Sequence, residues 1–142
     1  MSARTKARKR ALDVLFEADQ RGANVLDILT ARLADSGRET PLPEYSATIV
    51  RGVVSRWTEI NTLIQEASTE WTMPRMPAVD RALLRIGAWE ILFNDEVATS
   101  VAIDEAVALA ADLSTDDSPS FVNGLLGTLA RDAPALGTTP DA

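Results

Sequence analysis

Apolar residues recur at intervals of three and four along almost the whole chain, the spacing that places side chains on one face of a helix. Leu12, Leu15 and Phe16 set this pattern near the N-terminus. Alternation of β-branched residues, which would predict strands, is scarce. The pattern therefore predicts an all-α protein with seven helices, over about residues 4–20, 24–35, 44–57, 58–70, 77–94, 99–113 and 118–134.

The helix boundaries are predicted from residues that cap or terminate helices. Glycine readily ends a helix, Asn, Ser and Thr accept hydrogen bonds at a helix start, and proline suits the first turn. These rules place Gly22 after the first helix, Asn24 before the second, Pro77 at the start of the fifth, Thr99 or Ser100 before the sixth, and Ser118 with Pro119 at the start of the seventh. Residues 36–43, with two prolines, read as a loop.

The fifth predicted helix is the most apolar of the seven. Its residues Leu83, Ile86 and Leu92 belong to a nearly continuous apolar surface, so we expect this helix at the centre of the core. At 142 residues the chain has the length of one domain. We assign residues 1–134 to that domain and expect residues 135–142 to form a disordered C-terminal tail.

The composition excludes several kinds of active site. The chain has neither cysteine nor histidine, which removes the usual zinc ligands, the cysteine nucleophile and the Ser-His-Asp triad. An enzyme that uses only carboxylates would remain, but no spacing of the acidic residues requires one. We therefore predict a binding protein that is not an enzyme and has no cofactor and no metal.

No segment reads as a targeting or membrane-spanning element. The basic residues at the N-terminus run directly into an amphipathic helix, without the apolar stretch of a signal peptide. No run approaches the roughly 18 apolar residues of a transmembrane helix. We expect a cytoplasmic protein.

The charges are distributed unevenly along the chain. Residues 1–10 hold five basic residues and no acidic one, and the remaining nine basic residues share the rest of the chain with all 21 acidic residues. Such a chain attracts a polyanion only locally, at its N-terminus. The five cations, Arg4, Lys6, Arg8, Lys9 and Arg10, are candidates to bind phosphates of a nucleic acid. The alternative is a solvated tail that only aids solubility.

The segment 116–124, with the sequence DDSPSFVNG, is the second candidate site. Phe121 is interpreted either as a core residue or as an exposed surface on which a base stacks. Gly124, inside a predicted helix, indicates close helix packing.

Glu90 lies on the most apolar helix. We interpret it as half of a buried ion pair, with Arg85 or Arg51, rather than as a catalytic carboxylate. Asp104 and Glu105 are likewise interpreted as capping or ion-pairing residues and not as metal ligands.

Four segments together resemble the NusB family of bacterial transcription antitermination factors. They are ARKRALDVLFE at 7–17, AVDRALLRIGAWEIL at 78–92, VAIDEAV at 101–107 and DSPSFVNGLL at 117–126. The resemblance extends over nearly the whole chain, and the second and fourth segments are specific in combination.

The resemblance implies a fold, an activity and partners. The fold would be the seven-helix NusB-like fold built of two small helix bundles. The protein would bind the boxA RNA of ribosomal RNA operon leaders together with the ribosomal protein NusE, and the pair would join the RNA polymerase antitermination complex. A homodimer is also compatible with the family. By position in the motifs, the residues near RNA would be Arg4, Lys6, Arg8, Lys9, Arg10, Phe16, Asp117, Ser118 and Phe121, and Asp80 would lie on the NusE side.

The competing hypothesis is a helical protein-interaction scaffold that does not bind RNA. In that case the basic N-terminus is merely solvated, and partner binding does not depend on its charges.

Overall fold

The computed structural model describes residues 2–133, which hold seven α-helices and no strand. The helices are α1 (Ala3–Arg21), α2 (Val25–Ala34), α3 (Glu44–Ser55), α4 (Trp57–Ala67), α5 (Ala78–Phe93), α6 (Thr99–Leu113) and α7 (Ser118–Asp132). A short 3-10 helix, Met73–Arg75, precedes α5. The prediction of an all-α protein with seven helices is confirmed, whereas the predicted tail lies outside the described residues.

Helix α5 is the central element, as its apolar surface predicts. It packs against α1, α3, α4, α6 and α7, while α2 contacts α1 and α3. Leu84 and Ala88 of α5 are fully buried. The chain therefore forms an N-terminal group of three helices and a C-terminal group of four, joined through α5.

Local sequence signals explain several helix ends. Asn24 accepts hydrogen bonds from the backbone amides of Leu26 and Asp27 and so caps α2. Gly22 ends α1 in the left-handed conformation at φ 59°, which glycine adopts without steric cost. Both boundaries match the sequence-based predictions.

Two predicted caps are wrong. Helix α6 starts at Thr99, and Ala98 takes the cap position without any side-chain hydrogen bond. Ser118 is the first residue of α7 rather than its cap. Its hydroxyl instead donates to the buried Asp80 carboxylate.

Two glycines in helices have opposite environments. A Cβ atom on Gly52 would overlap the indole ring of Trp89, whereas a Cβ atom on Gly124 would meet nothing within 4 Å. The predicted close packing at Gly124 is therefore wrong. The close approach occurs at Gly52, where α3 packs against α5.

Replacing Gly52 by alanine is expected to destabilise the fold by about 1–3 kcal/mol, because overpacking displaces a large aromatic ring. Replacing Gly124 by alanine is the matched control and should stabilise the protein by up to about 1 kcal/mol, since alanine favours the helix. Urea unfolding followed by circular dichroism measures both changes. Equal stability of the two variants would contradict the described packing.

Candidate nucleic-acid interface

The basic N-terminus forms the first turns of α1. The Ser2 hydroxyl oxygen accepts a hydrogen bond from the Thr5 backbone amide at 3.1 Å and caps the helix. No acidic residue lies in the first turn, so cations there face the positive end of the helix dipole without compensation. Arg4 and Lys6 are exposed and Lys9 is half-buried. These three residues, named here the basic segment, form no ion pair within residues 2–133.

Arg8 is placed differently from the basic segment. Its guanidinium donates to both carboxylate oxygens of Glu90 at 3.0 and 3.1 Å and to Glu105 at 2.9 Å. Arg8 is 3% exposed and Glu90 is fully buried. The structure places Arg8 in the interior rather than with the exposed cations, because a buried carboxylate requires a cation and Arg8 supplies it. Its predicted phosphate contact stays a prediction. The predicted buried ion pair of Glu90 exists, but its partner is Arg8 and not Arg85 or Arg51.

Further hydrogen bonds extend this ion pair. The Tyr45 hydroxyl donates to Glu90, and the Thr5 hydroxyl donates to Glu105 at 2.5 Å. Burial, together with the hydrogen bond to Glu90, raises the pKa of Tyr45 to about 12, so its phenol stays protonated. The predicted ion-pairing role of Glu105 is confirmed. The network holds the start of α1 against α3, α5 and α6.

Arg10 is also buried, unlike Arg4 and Lys6. Only 9% of this residue is exposed, and it lines a cavity of about 140 Å³ together with Asp13 and Arg38. The Arg38 guanidinium binds the Asp13 carboxylate at 2.8 Å. Burial raises the pKa of Asp13, and the nearby charges of Arg38, Lys9 and Arg10 oppose that rise. The side chain of Arg10 thus lies between α1 and the loop residues Ser36, Arg38 and Leu42, and its predicted phosphate contact stays a prediction.

Asp80 does not lie on an exposed partner-facing surface. Its carboxylate is fully buried and accepts hydrogen bonds from the hydroxyls of Ser114 at 2.6 Å and Ser118 at 2.9 Å. Ser118 is 1% exposed. The structure therefore places both side chains in the interior, and their predicted contacts with NusE and RNA stay predictions. The two side chains fix the turn between α6 and α7 to the start of α5.

An open groove lies between the end of α4 and α7, named here the α7 groove. Its volume is about 740 Å³. Its lining includes the apolar side chains Leu63, Ala67, Trp71, Phe121, Leu125 and Leu129 and the acidic side chains Glu66, Glu70, Asp117 and Asp132, with no basic residue. The turn that Asp80 fixes leads directly into this groove.

Asp117 and Phe121, both from the 116–124 segment, line the α7 groove together. Asp117 is exposed. Phe121 is half-buried, and its ring lies 5.1 Å from the Trp71 ring, tilted by 50°. Phe121 is therefore part of the core on one side and part of the groove on the other. The carboxylates of the groove repel phosphates, so only the base of a nucleotide suits it.

Phe16 is 37% exposed on α1. It is not among the residues that line the α7 groove. The predicted RNA-binding residues thus divide into the basic segment, the α7 groove with Asp117 and Phe121, and Phe16 on the surface of α1.

The sequence did not reveal the role of Tyr45. Arg4 stacks its guanidinium over the Tyr45 ring, 4.0 Å from the ring centre, and Arg8 lies 5.8 Å from the same centre. The spacing of four between Arg4 and Arg8 places them on one helix face. That spacing predicts that the two arginines share a contact, but it does not identify that contact as a tyrosine 41 positions after Arg4.

Within residues 2–133, no group of three or more acidic residues is placed to hold a metal ion. No helix in this part is long and apolar enough to cross a membrane. Every buried side-chain nitrogen and oxygen atom there has a hydrogen-bond partner.

Comparison with known proteins gives a consistent result. The sequence profile of the NusB family matches residues 5–131. The transcription antitermination protein NusB of Beutenbergia cavernae is 54% identical, and the alignment covers 96% of this chain and 94% of that protein. The NusB protein of a Nocardioides species is 52% identical, with 96% and 99% covered.

Solved structures agree with this similarity. The structure of T. maritima NusB is 30% identical, covers 92% of each chain and superposes with a TM-score of 0.80. A crystal structure of the antitermination factors NusB and NusE in complex with dsRNA is 25% identical, covers 90% of this chain and 96% of that chain, and has a TM-score of 0.78.

Proposed function

The chain belongs to the NusB family, and from this premise we propose that it is a transcription antitermination factor of the cytoplasm that binds boxA RNA of ribosomal RNA operon leaders together with NusE. The observation that carries the proposal is the basic segment, whose Arg4 and Lys6 are exposed on a chain with a formal net charge of −7. Family membership supports a binding role rather than a catalytic one. The pair would act within the RNA polymerase antitermination complex.

Arg4, Lys6 and Lys9 supply the phosphate contacts in this proposal. Cations hold a nucleic-acid backbone without reading its sequence. The network around Arg8 and Glu90 keeps the first turns of α1 rigid, so these cations are presented at fixed positions. Arg8 therefore supports the RNA site from the interior.

Asp117, Phe121 and Phe16 supply the base contacts. The exposed part of each aromatic ring offers a face for stacking. The Asp117 carboxylate accepts a hydrogen bond from an exocyclic amino group of a base. Because the α7 groove has no basic residue, it adds sequence preference but no charge attraction.

Replacing Phe121 by leucine is expected to weaken RNA binding by about 1–3 kcal/mol, the contribution of one stacked base. Leucine keeps an apolar side chain against Trp71, so the fold should be retained. A fluorescence-anisotropy titration with a boxA-like RNA measures the affinity, and circular dichroism checks the helices. An unchanged affinity would remove Phe121 from the RNA site.

The proposed function is tested by gel shifts of a boxA-like RNA, with the protein alone and with NusE. The test variant replaces the three cations of the basic segment by glutamine. Deletion of residues 1–10 is unsuitable, because it removes the buried side chains of Arg8 and Arg10. We expect a shift by the wild-type protein that NusE strengthens and that the variant largely loses.

The scaffold hypothesis predicts a different outcome. NusE would bind the wild type and the variant equally, and neither would shift RNA. Sedimentation of the same samples would report a homodimer, which the family resemblance allows.

A further inference from the structure

A second open groove lies beside the basic segment, between the start of α1, the start of α3 and the end of α5. Its volume is about 460 Å³, within the range of roughly 300–1,000 Å³ for small-ligand pockets. It is lined by Arg4, Glu44, Tyr45, Thr48, Trp89, Phe93, Asn94 and Glu96. Three of the seven aromatic residues of the chain therefore meet in this groove, named here the aromatic groove.

The rings of the aromatic groove accept planar groups. The Arg4 guanidinium lies 4.0 Å from the centre of the Tyr45 ring, and the Arg56 guanidinium lies 4.6 Å from the centre of the Phe93 ring. Flat cations thus already stack at these two rings. A nucleobase is a flat π-system that stacks on the same kinds of surface, on aromatic rings and on guanidinium planes.

The groove is also held in shape. The Tyr45 hydroxyl donates to the buried Glu90 carboxylate, which fixes the ring plane from below. The Asn94 side chain donates to the Tyr45 oxygen at 3.3 Å and accepts from the Glu96 backbone amide at 3.1 Å. Trp89 packs so closely on Gly52 that its ring has no room to move toward α3. A ligand therefore meets a preformed surface, which lowers the entropy cost of binding.

The charged residues that line the aromatic groove favour a base inside it and a phosphate at its edge. Glu44 and Glu96 line it, and their carboxylates repel a phosphate but accept hydrogen bonds from exocyclic amino groups. Arg4 lines the groove and also belongs to the basic segment. An RNA backbone that is bound by the basic segment therefore passes beside the groove. Arg56, beside Phe93, pairs with Glu59 at 3.5 Å.

We propose that the aromatic groove holds one nucleobase of the bound single-stranded RNA, preferably a base with an exocyclic amino group. The inference rests on the proposed RNA binding and adds to it a subsite on Phe93 and Tyr45, distinct from the α7 groove. The base stacks against the rings and the Arg4 guanidinium, and its flanking phosphate also lies against Arg4.

The test uses the full chain and boxA-like RNAs that carry 2-aminopurine at one position at a time. Stacking quenches the fluorescence of this base, so one position should be quenched by the wild-type protein. Replacing Phe93 by leucine should abolish that quenching and weaken binding roughly 5- to 100-fold. The slope of log K against log salt should stay unchanged, because no phosphate contact is lost. Replacing Phe93 by tyrosine keeps the ring and should keep both affinity and quenching.

Several outcomes decide the matter. If the wild type does not bind RNA, the proposed function and this inference both fail. If the wild type binds with a steep salt dependence and Phe93→Leu binds and quenches equally well, only this inference is overturned. Loss of NusE binding by Phe93→Leu with unchanged RNA binding would assign the groove to the protein partner and overturn the base subsite.

Discussion

Replacing Arg8 by alanine is expected to lower the free energy of unfolding by about 3–5 kcal/mol, the usual cost of leaving one member of a buried ion pair without its partner. Glu90 is fully buried, and Arg8 is its cationic partner. Without the guanidinium, the carboxylate must take up a proton or draw in water, and either change disrupts the contact of α1 with α5. Urea unfolding monitored by circular dichroism gives the loss directly.

Two further variants make this result specific. Arg38 forms an ion pair of similar length with Asp13, but both side chains are about half exposed. Its replacement by alanine should cost no more than about 1 kcal/mol. The double variant Arg8→Met with Glu90→Leu should recover most of the loss, because it removes both buried charges. Equal small losses for Arg8→Ala and Arg38→Ala would contradict the buried network.

Replacing Arg4, Lys6 and Lys9 together by glutamine is expected to weaken RNA binding about 100-fold at 0.1 M salt. Each phosphate contact with single-stranded nucleic acid contributes about 0.7 to the salt slope, so three contacts contribute about two logarithmic units of affinity at that concentration. Stability should hardly change, since none of the three forms an ion pair in the described residues. Fluorescence anisotropy with a labelled boxA-like RNA measures the affinity.

The matched control removes the same charge elsewhere. Arg21, Arg75 and Arg131 are exposed and lie outside the basic segment, Arg21 at the far end of α1 and the other two in later elements. Their joint replacement by glutamine changes the net charge equally and should weaken RNA binding only a few-fold through long-range attraction. Equal losses in the two triple variants would show that net charge, and not the basic segment, governs binding.

The sequence predicts those parts of the fold that depend on near neighbours. The cap at Asn24 and the helix end at Gly22 involve contacts within four residues, and both are correct. The apolar surface of α5 similarly predicts its central place, because periodicity reports burial directly. The prediction of a cap is wrong where the hydroxyl bonds a residue that is distant in the sequence, as the Ser118 hydroxyl bonds the Asp80 carboxylate.

The sequence predicts which charged residues belong to the candidate site, but not which of them are exposed and which are buried. Arg4 and Arg8 share one helix face and one side-chain type, yet one is exposed and the other is buried. The difference arises because Glu90 and Glu105, more than 80 positions away in the sequence, cover the helix at Arg8. Pairing across such a separation has no periodicity that a single sequence displays. For the same reason the sequence did not predict the burial of Asp80, because its two hydroxyl donors come from the distant α6–α7 turn.

The central claim is that Arg4, Lys6 and Lys9 hold RNA phosphates. The most direct measurement is the dependence of the RNA association constant on salt concentration, for the wild type and for the triple glutamine variant. Three phosphate contacts predict a slope of log K against log salt of about −2 for the wild type, and the variant should lie close to zero. A flat wild-type dependence, or the same steep slope in both proteins, would contradict the claim.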